Sequence, residues 1–129
     1  MDIVSALFAE NIDLRPVPGP STRLDLLGIM FSMAAPSAPP VTVTPHLIVV
    51  VRCRSHEDGQ GILEVVFRDE DGAQVARNVS PFQVEPGKFT YRLVRGELEY
   101  AKIGTIEAHC RLLPDGPATV VPLTLLPPL

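Results

Sequence analysis

The stretch GTIEAHCRL, Gly104 to Leu112, contains the clearest structural signal in the sequence. Every second position is apolar, and these positions are Ile106, Ala108, Cys110 and Leu112. The polar positions between them are Thr105, Glu107, His109 and Arg111. Successive side chains of a β-strand point to opposite faces, so this alternation predicts a strand with one buried and one wet face.

Similar runs recur on both sides of this stretch. We predict strands at Arg23–Met33, His46–Arg54, Ile62–Arg68, Ala73–Val79, Lys88–Val94 and within 114–126. The run Ile3–Ile12 suits a strand or a short helix. In Lys88–Val94 the apolar side chains that alternate with polar ones are Phe89, Tyr91 and Leu93. The 14 prolines and 9 glycines of the chain interrupt it too often for long helices.

These runs predict an all-β fold, a single domain over residues 1–129. Most of them have one apolar face, and two antiparallel sheets packed together bury such faces economically. We therefore predict a two-sheet β-sandwich of about eight strands with immunoglobulin-like or related topology. A sheet closed on itself is the alternative. Gly28 predicts a bulge or a close backbone approach inside its strand, and Pro122 predicts a sheet edge or a bulge because proline cannot donate to the ladder.

The segment DEDG, Asp69 to Gly72, contains three carboxylates and a glycine between two predicted strands. Asp side chains bond back to the local backbone and glycine adopts positive φ, so we predict a turn. The twelve-residue calcium loop of helix-loop-helix proteins requires further oxygen ligands that are absent here. A calcium site built from several loops stays open as an alternative. The second acidic loop, with Glu57 and Asp58, is expected at the other end of the same strand.

Other chemical signals are weak. Zinc sites need closely spaced ligand pairs, and Cys53 with His56 has no second pair. His109 and Cys110 point to opposite faces of one strand. Glu107, His109 and Arg111 share a face, where we expect a wet ladder with Glu64, Arg52 and Arg68. We therefore predict no catalytic, cofactor-binding or metal-binding residues and no cofactor.

Charge and targeting signals narrow the setting. The formal net charge is −4 and the basic residues are scattered, which argues against binding of nucleic acid or of an anionic membrane. Asp2 stands where a secretory signal carries positive charge, and no apolar run is long enough to span a membrane. We predict a cytoplasmic protein. Cys53 and Cys110 are expected to be buried thiols, and whether they form a disulfide stays open.

The order of features resembles an uncharacterised family of small bacterial β-sandwich proteins, a domain of unknown function. The similar pieces are ALFAENI (6–12), LDLLGIM (24–30), PPVTVTPHLIVVVR (39–52), VVFRDEDGAQV (65–75) and GTIEAHCRLLPDGPATVVPLTL (104–125). The resemblance implies a stand-alone bacterial β-sandwich with no assigned activity, and it carries no catalytic residues.

Three functions follow as hypotheses. We favour a non-enzymatic protein-interaction or structural module that binds a protein partner or forms a homodimer. Its basis is a set of apolar residues on faces expected to be wet, namely Ile48, Val50, Ile62 and Val66. The alternative is a β-sandwich that binds calcium or a small ligand through its acidic loops. An enzyme using the ladder around His109 is the third hypothesis.

Overall fold

The computed structural model describes residues 1–19 and 21–129, and these residues form β-strands and no helix. The strands are β1 (Asp2–Arg15), β2 (Arg23–Met30), β3 (Ser32–Ala34), β4 (Val41–Val43), β5 (His46–Arg52), β6 (Gln60–Arg68), β7 (Gln74–Gln83), β8 (Phe89–Arg95), β9 (Leu98–Tyr100), β10 (Gly104–Leu112) and β11 (Thr119–Leu126). The all-β prediction is confirmed, and the ambiguous first segment is a strand. No helix in the described ranges is long and apolar enough to cross a membrane.

The strands form three sheets. A four-stranded sheet has the order β2-β1-β5-β8, a five-stranded sheet has the order β3-β11-β10-β6-β7, and β4 pairs with β9. All of these pairs are antiparallel except β3 with β11, which is parallel. The described residues thus form eleven strands in three sheets, where the sequence predicted about eight strands in two.

The predicted strand Arg23–Met33 is divided between two sheets. Its first part, β2, pairs with β1, and its last part, β3, runs beside β11 in the other sheet. Phe31 lies at the crossing, where its carbonyl oxygen accepts a hydrogen bond of 3.0 Å from Thr124 N. The register of β2 on β1 continues unbroken past Gly28, so no bulge is present there. Gly28 has φ of 65°, and a Cβ on it would meet the side chain of Glu10 at 2.7 Å, which agrees with the predicted close approach. Apolar composition alone does not show where a strand leaves its sheet.

The two larger sheets share one hydrophobic core. Fully buried side chains come from both, including Leu47 and Val49 of β5 and Leu63 and Phe67 of β6. Strand β10 has its apolar side inward as predicted, since Ile106, Ala108 and Cys110 are no more than 2% exposed, and Leu112 at its end is half-buried. Full burial of a large aliphatic or aromatic side chain, such as Leu63 or Phe67, stabilises the fold by about 1.5–3 kcal/mol.

Pro122 lies at an edge-like position, as predicted. It pairs with Glu107 of β10 on one side of β11. The N–H of Thr124 points to β3, so the proline nitrogen two residues earlier points the same way. β3 begins only at Ser32, which is opposite Thr124, and therefore does not reach Pro122. The missing donor costs no ladder hydrogen bond there.

Strand β8 exposes its larger apolar side chains, whereas most strands of this fold bury theirs. Phe89 is 60% and Leu93 is 50% exposed, whereas Val94 is 3% exposed. Thr90 and Arg92 share the inner face with Val94 because they pair with the buried residues Val51 and Val49. This edge strand therefore turns its aromatic and leucine side chains to the outside.

Candidate functional site

An apolar surface lies on the outer side of the four-stranded sheet. We use the name β5–β8 face for the outward side chains of Ile48, Val50, Phe89, Tyr91 and Leu93. The pairing sets Ile48 beside Leu93 and Val50 beside Tyr91, so the five form one continuous strip. Phe89 and Leu93 are the most exposed members, at 60% and 50%. The strip is most exposed along β8, and large apolar side chains exposed together on a sheet face are typical of an interaction surface.

The residues that the sequence analysis expected on wet faces differ in exposure. Ile62 is 42% exposed and Val50 is half-buried, but Ile48 and Val66 are buried at 3% and 8%. The prediction is therefore wrong for Ile48 and Val66.

Their neighbours explain this burial. Ile48 lies between Leu7 and Leu93 across the sheet. Val66 lies between His109 and Arg77, and long polar side chains can cover an apolar neighbour while their tips stay wet.

A cleft of about 350 Å³ opens on the β5–β8 face. Thr22 and Leu24, from the turn end of the β1–β2 hairpin, form one wall, and Val50, Phe89 and Tyr91 contribute to the other. β1 pairs with β5 only as far as Ala9, but it pairs with β2 as far as Arg15. The hairpin thus continues past His46 at the start of β5, and its end folds back over the outer face, because Leu24 lines the same cleft as Val50 and Phe89. The cleft could hold an apolar side chain of a partner.

The strands under this face carry only positive charge. The sequences HLIVVVR and FTYRLVR contain no Asp or Glu, although the whole chain has a net charge of −4. Their basic residues are His46, Arg52, Arg92 and Arg95. Within 1–19 and 21–129, the three arginines take part in no ion pair. Arg92 Nε is buried without a hydrogen-bond partner.

Among residues 1–19 and 21–129, the backbone groups on the outer edge of β8 have no hydrogen-bond partner. Cys53 N donates to Lys88 O at 2.9 Å, and Gly96 N donates to Pro45 O at 3.3 Å. The even-numbered residues of β8 therefore bond to β5, and the N–H and C=O groups of the odd-numbered residues point to the open edge. The odd-numbered residues are Phe89, Tyr91, Leu93 and Arg95. The free backbone groups and the apolar side chains thus belong to the same residues.

The acidic segment after β6 forms the predicted turn. One carboxylate oxygen of Asp69, Oδ1, accepts hydrogen bonds from Asp71 N at 3.0 Å and from Ala73 N at 2.9 Å. Gly72 N donates to Asp69 O at 3.0 Å, and Gly72 has φ of 81°. Across the described ranges, His, Cys, Asp and Glu do not come together in groups of three or more that could hold a metal ion. In the second acidic loop Glu57 binds the Met1 amine and Arg54 N, and Asp58 accepts from Gln60 N.

A polar groove of about 480 Å³ lies beside this turn, lined in part by Arg68, Glu107 and His109. Glu70 Oε1 accepts a hydrogen bond of 2.7 Å from Thr105 N, which ties the turn to the start of β10. His109 Nε2 lies 3.4 Å from Glu107 Oε1. The groove thus brings together Glu107 and His109, which the sequence placed on one face, and adds Glu70 from the turn.

The predicted ladder is different in composition. Glu64 binds Arg111 at 2.9 Å and Arg77 at 2.8 Å, and these two guanidinium groups hold the pKa of Glu64 below its usual value. Arg68 pairs in register with Glu107 and donates to Gly72 O. Arg52 does not belong to the ladder, because it lies on β5 in the other sheet. Period-2 patterning identifies a face of a strand, but it does not identify the sheet.

Cys53 and Cys110 are buried and free. Burial raises the pKa of the Cys110 thiol to about 12, so this group is an uncharged member of the core. Cys53 Sγ lies 3.5 Å from Arg54 O.

A comparison of the chain with protein-family models gives no match, and a comparison with curated proteins gives none either. Any function must therefore be inferred from the structure, and the β5–β8 face is the strongest candidate site.

Proposed function

We propose that the protein is a non-enzymatic protein-interaction module that docks a partner on the β5–β8 face. Its architecture is a β-sandwich of immunoglobulin-related topology, in which the four-stranded and five-stranded sheets are the two layers. We also propose that the protein belongs to the uncharacterised bacterial family that its sequence resembles and that it is cytoplasmic.

One observation carries the proposal, namely the outward position of Phe89 and Leu93. Phe89 and Leu93 lie on the same side of β8 with Tyr91 between them, and exposing such large apolar side chains to water is unfavourable unless a partner covers them. Aromatic side chains are also enriched in the buried centres of protein interfaces. The cleft beside them offers a pocket for a side chain of the partner.

Photo-cross-linking in the source cells tests the proposal. Leu93 is replaced by benzoylphenylalanine, and the matched control carries the same replacement at Val120, which is 44% exposed on the other sheet. We expect one discrete adduct from position 93 and none from position 120. Its mass shows whether the partner is another protein or a second copy. No adduct at position 93, or equal adducts at both positions, would contradict the proposal.

A further inference from the structure

We propose, as a refinement that rests on the proposed function, that the partner is an extended protein segment in which apolar residues alternate with Asp or Glu. It adds to the free edge of β8 as a further strand of the four-stranded sheet. Three observations support this proposal. The free backbone groups indicate an extended segment, the two faces of β8 indicate the alternation, and the positive charge of β5 and β8 indicates the acidic residues.

The backbone of β8 defines the conformation of the segment. Four residues, Phe89, Tyr91, Leu93 and Arg95, present N–H and C=O groups at the open edge. An extended chain laid along that edge satisfies these groups in the way that peptides join exposed sheet edges elsewhere. Its side chains then alternate between the two faces of the sheet.

The two faces of β8 define the alternation. On the outer face, the segment lies beside Phe89, Tyr91 and Leu93, which favours apolar side chains. On the other face, it lies beside Arg92, whose Nε has no hydrogen-bond partner in the described part of the chain. A carboxylate there would pair with the Arg92 guanidinium, and such charge-assisted bonds are stronger than neutral ones.

The same charges disfavour a second copy of the chain. When two β8 strands pair antiparallel over their full length, Phe89 meets Arg95 of the other copy and Arg92 meets Arg92. A positive charge then faces its own copy near the centre of the new sheet. Inward-pointing charge on an edge strand is a known device against pairing between copies. An acidic segment converts this repulsion into attraction, which also gives specificity.

The test uses the labelled peptide EVEVEVE and its counterpart KVKVKVK, with binding to the full chain followed by fluorescence anisotropy. We expect saturable binding of the acidic peptide that weakens as salt is added, and no binding of the basic one. The double variant R92E/R95E should weaken binding of EVEVEVE about tenfold or more and should bind KVKVKVK instead. The control K102E changes an exposed lysine outside β5 and β8 and should bind like the unchanged protein. If R92E/R95E fails to fold by circular dichroism, R92Q keeps a polar side chain but removes the charge on the inner face, and it should likewise weaken binding of EVEVEVE.

A third peptide tests strand addition. N-methylation of alternate residues of EVEVEVE removes the donors that would face β8, and methylation of the other residues is the matched control. Only the peptide that keeps its N–H groups on the side facing β8 should bind. Equal binding of both would overturn edge pairing, and equal binding of EVEVEVE and KVKVKVK, or of neither, would overturn the acidic partner. A dimer in light scattering that is cross-linked through position 93 would overturn the acidic segment but leave the interaction module intact. If position 93 cross-links nothing in cells, the proposed function itself fails.

Discussion

Asp69 controls the acidic turn, whereas Asp71 contributes little to it. Asp69 Oδ1 accepts two backbone hydrogen bonds, while the Asp71 side chain accepts none from the described residues. We expect Asp69→Ala to lower the free energy of unfolding by about 1 kcal/mol, and Asp71→Ala to change it by less than about 0.5 kcal/mol. Urea denaturation measures both. Calcium should leave the denaturation midpoints of the unchanged protein and of both variants where they are. A calcium-dependent shift in the unchanged protein that is lost in both variants would support a calcium site instead.

The two cysteines differ in what a hydroxyl group would find. Cys110 is 0% exposed with no hydrogen-bond partner among the described residues, whereas Cys53 has the Arg54 carbonyl oxygen 3.5 Å away. A buried hydroxyl without a partner costs about 1–3 kcal/mol. Cys110→Ser should therefore destabilise the protein by about that amount, and Cys53→Ser by less. Thermal denaturation of the two variants decides, and equal effects would show that the Arg54 carbonyl does not serve as an acceptor.

Glu64 makes stability depend on acid pH. Hydrogen bonds from Arg111 and then Arg77 lower its pKa in the folded protein. A lowered folded pKa means that the contribution is present above the unfolded pKa of 4.5 and is lost as pH falls through the folded pKa. We expect Glu64→Gln to flatten the fall in stability below about pH 4.5. Denaturation midpoints from pH 7 down to pH 3 would show this, and an unchanged slope would contradict it.

Among the elements, the loops at the two ends of β6 differ in how tightly they are packed. Gly59 and Gly72 both have φ near 80°. A Cβ on Gly59 would meet Val84 O at 2.0 Å, whereas a Cβ on Gly72 would meet nothing within 4 Å. Strain at positive φ applies to both, but only Gly59 adds a collision with backbone.

Alanine at each glycine provides a matched pair. Gly72→Ala should cost about 1 kcal/mol from backbone strain. Gly59→Ala should cost at least about 2 kcal/mol, because the strand ends must move apart as well. Chemical denaturation of the two proteins gives the comparison. Equal losses would show that the end of β6 next to Gly59 is loosely held.

Sequence periodicity could predict the strands whose two sides differ in polarity, but it could not always predict which side is buried. β10 was predicted with its inward residues because Ile106, Ala108 and Cys110 alternate with charged neighbours. The same period in β8 correctly separates Phe89 from Arg92, but period alone does not say which side is buried. β4 and β9 have only three residues each, which is too short for any period to show.

At the scale of the whole molecule, composition indicated an all-β fold, but the site depended on contacts that sequence does not contain. The acidic turn could be predicted because its chemistry is local to 69–73. The β5–β8 face could not, since it requires strands 37 residues or more apart to pair, as Arg52 does with Phe89. The cleft also requires the distant β1–β2 hairpin to reach that face.

The most direct measurement is native-state amide hydrogen exchange along β8, resolved by residue in NMR spectra. The account predicts that the amides of Thr90, Arg92 and Val94 are protected by β5. The amides of Phe89, Tyr91, Leu93 and Arg95 should exchange at nearly unprotected rates in the free protein. Uniform protection would show that the edge is already covered, and protection of the odd-numbered residues alone would show that β8 faces the other way.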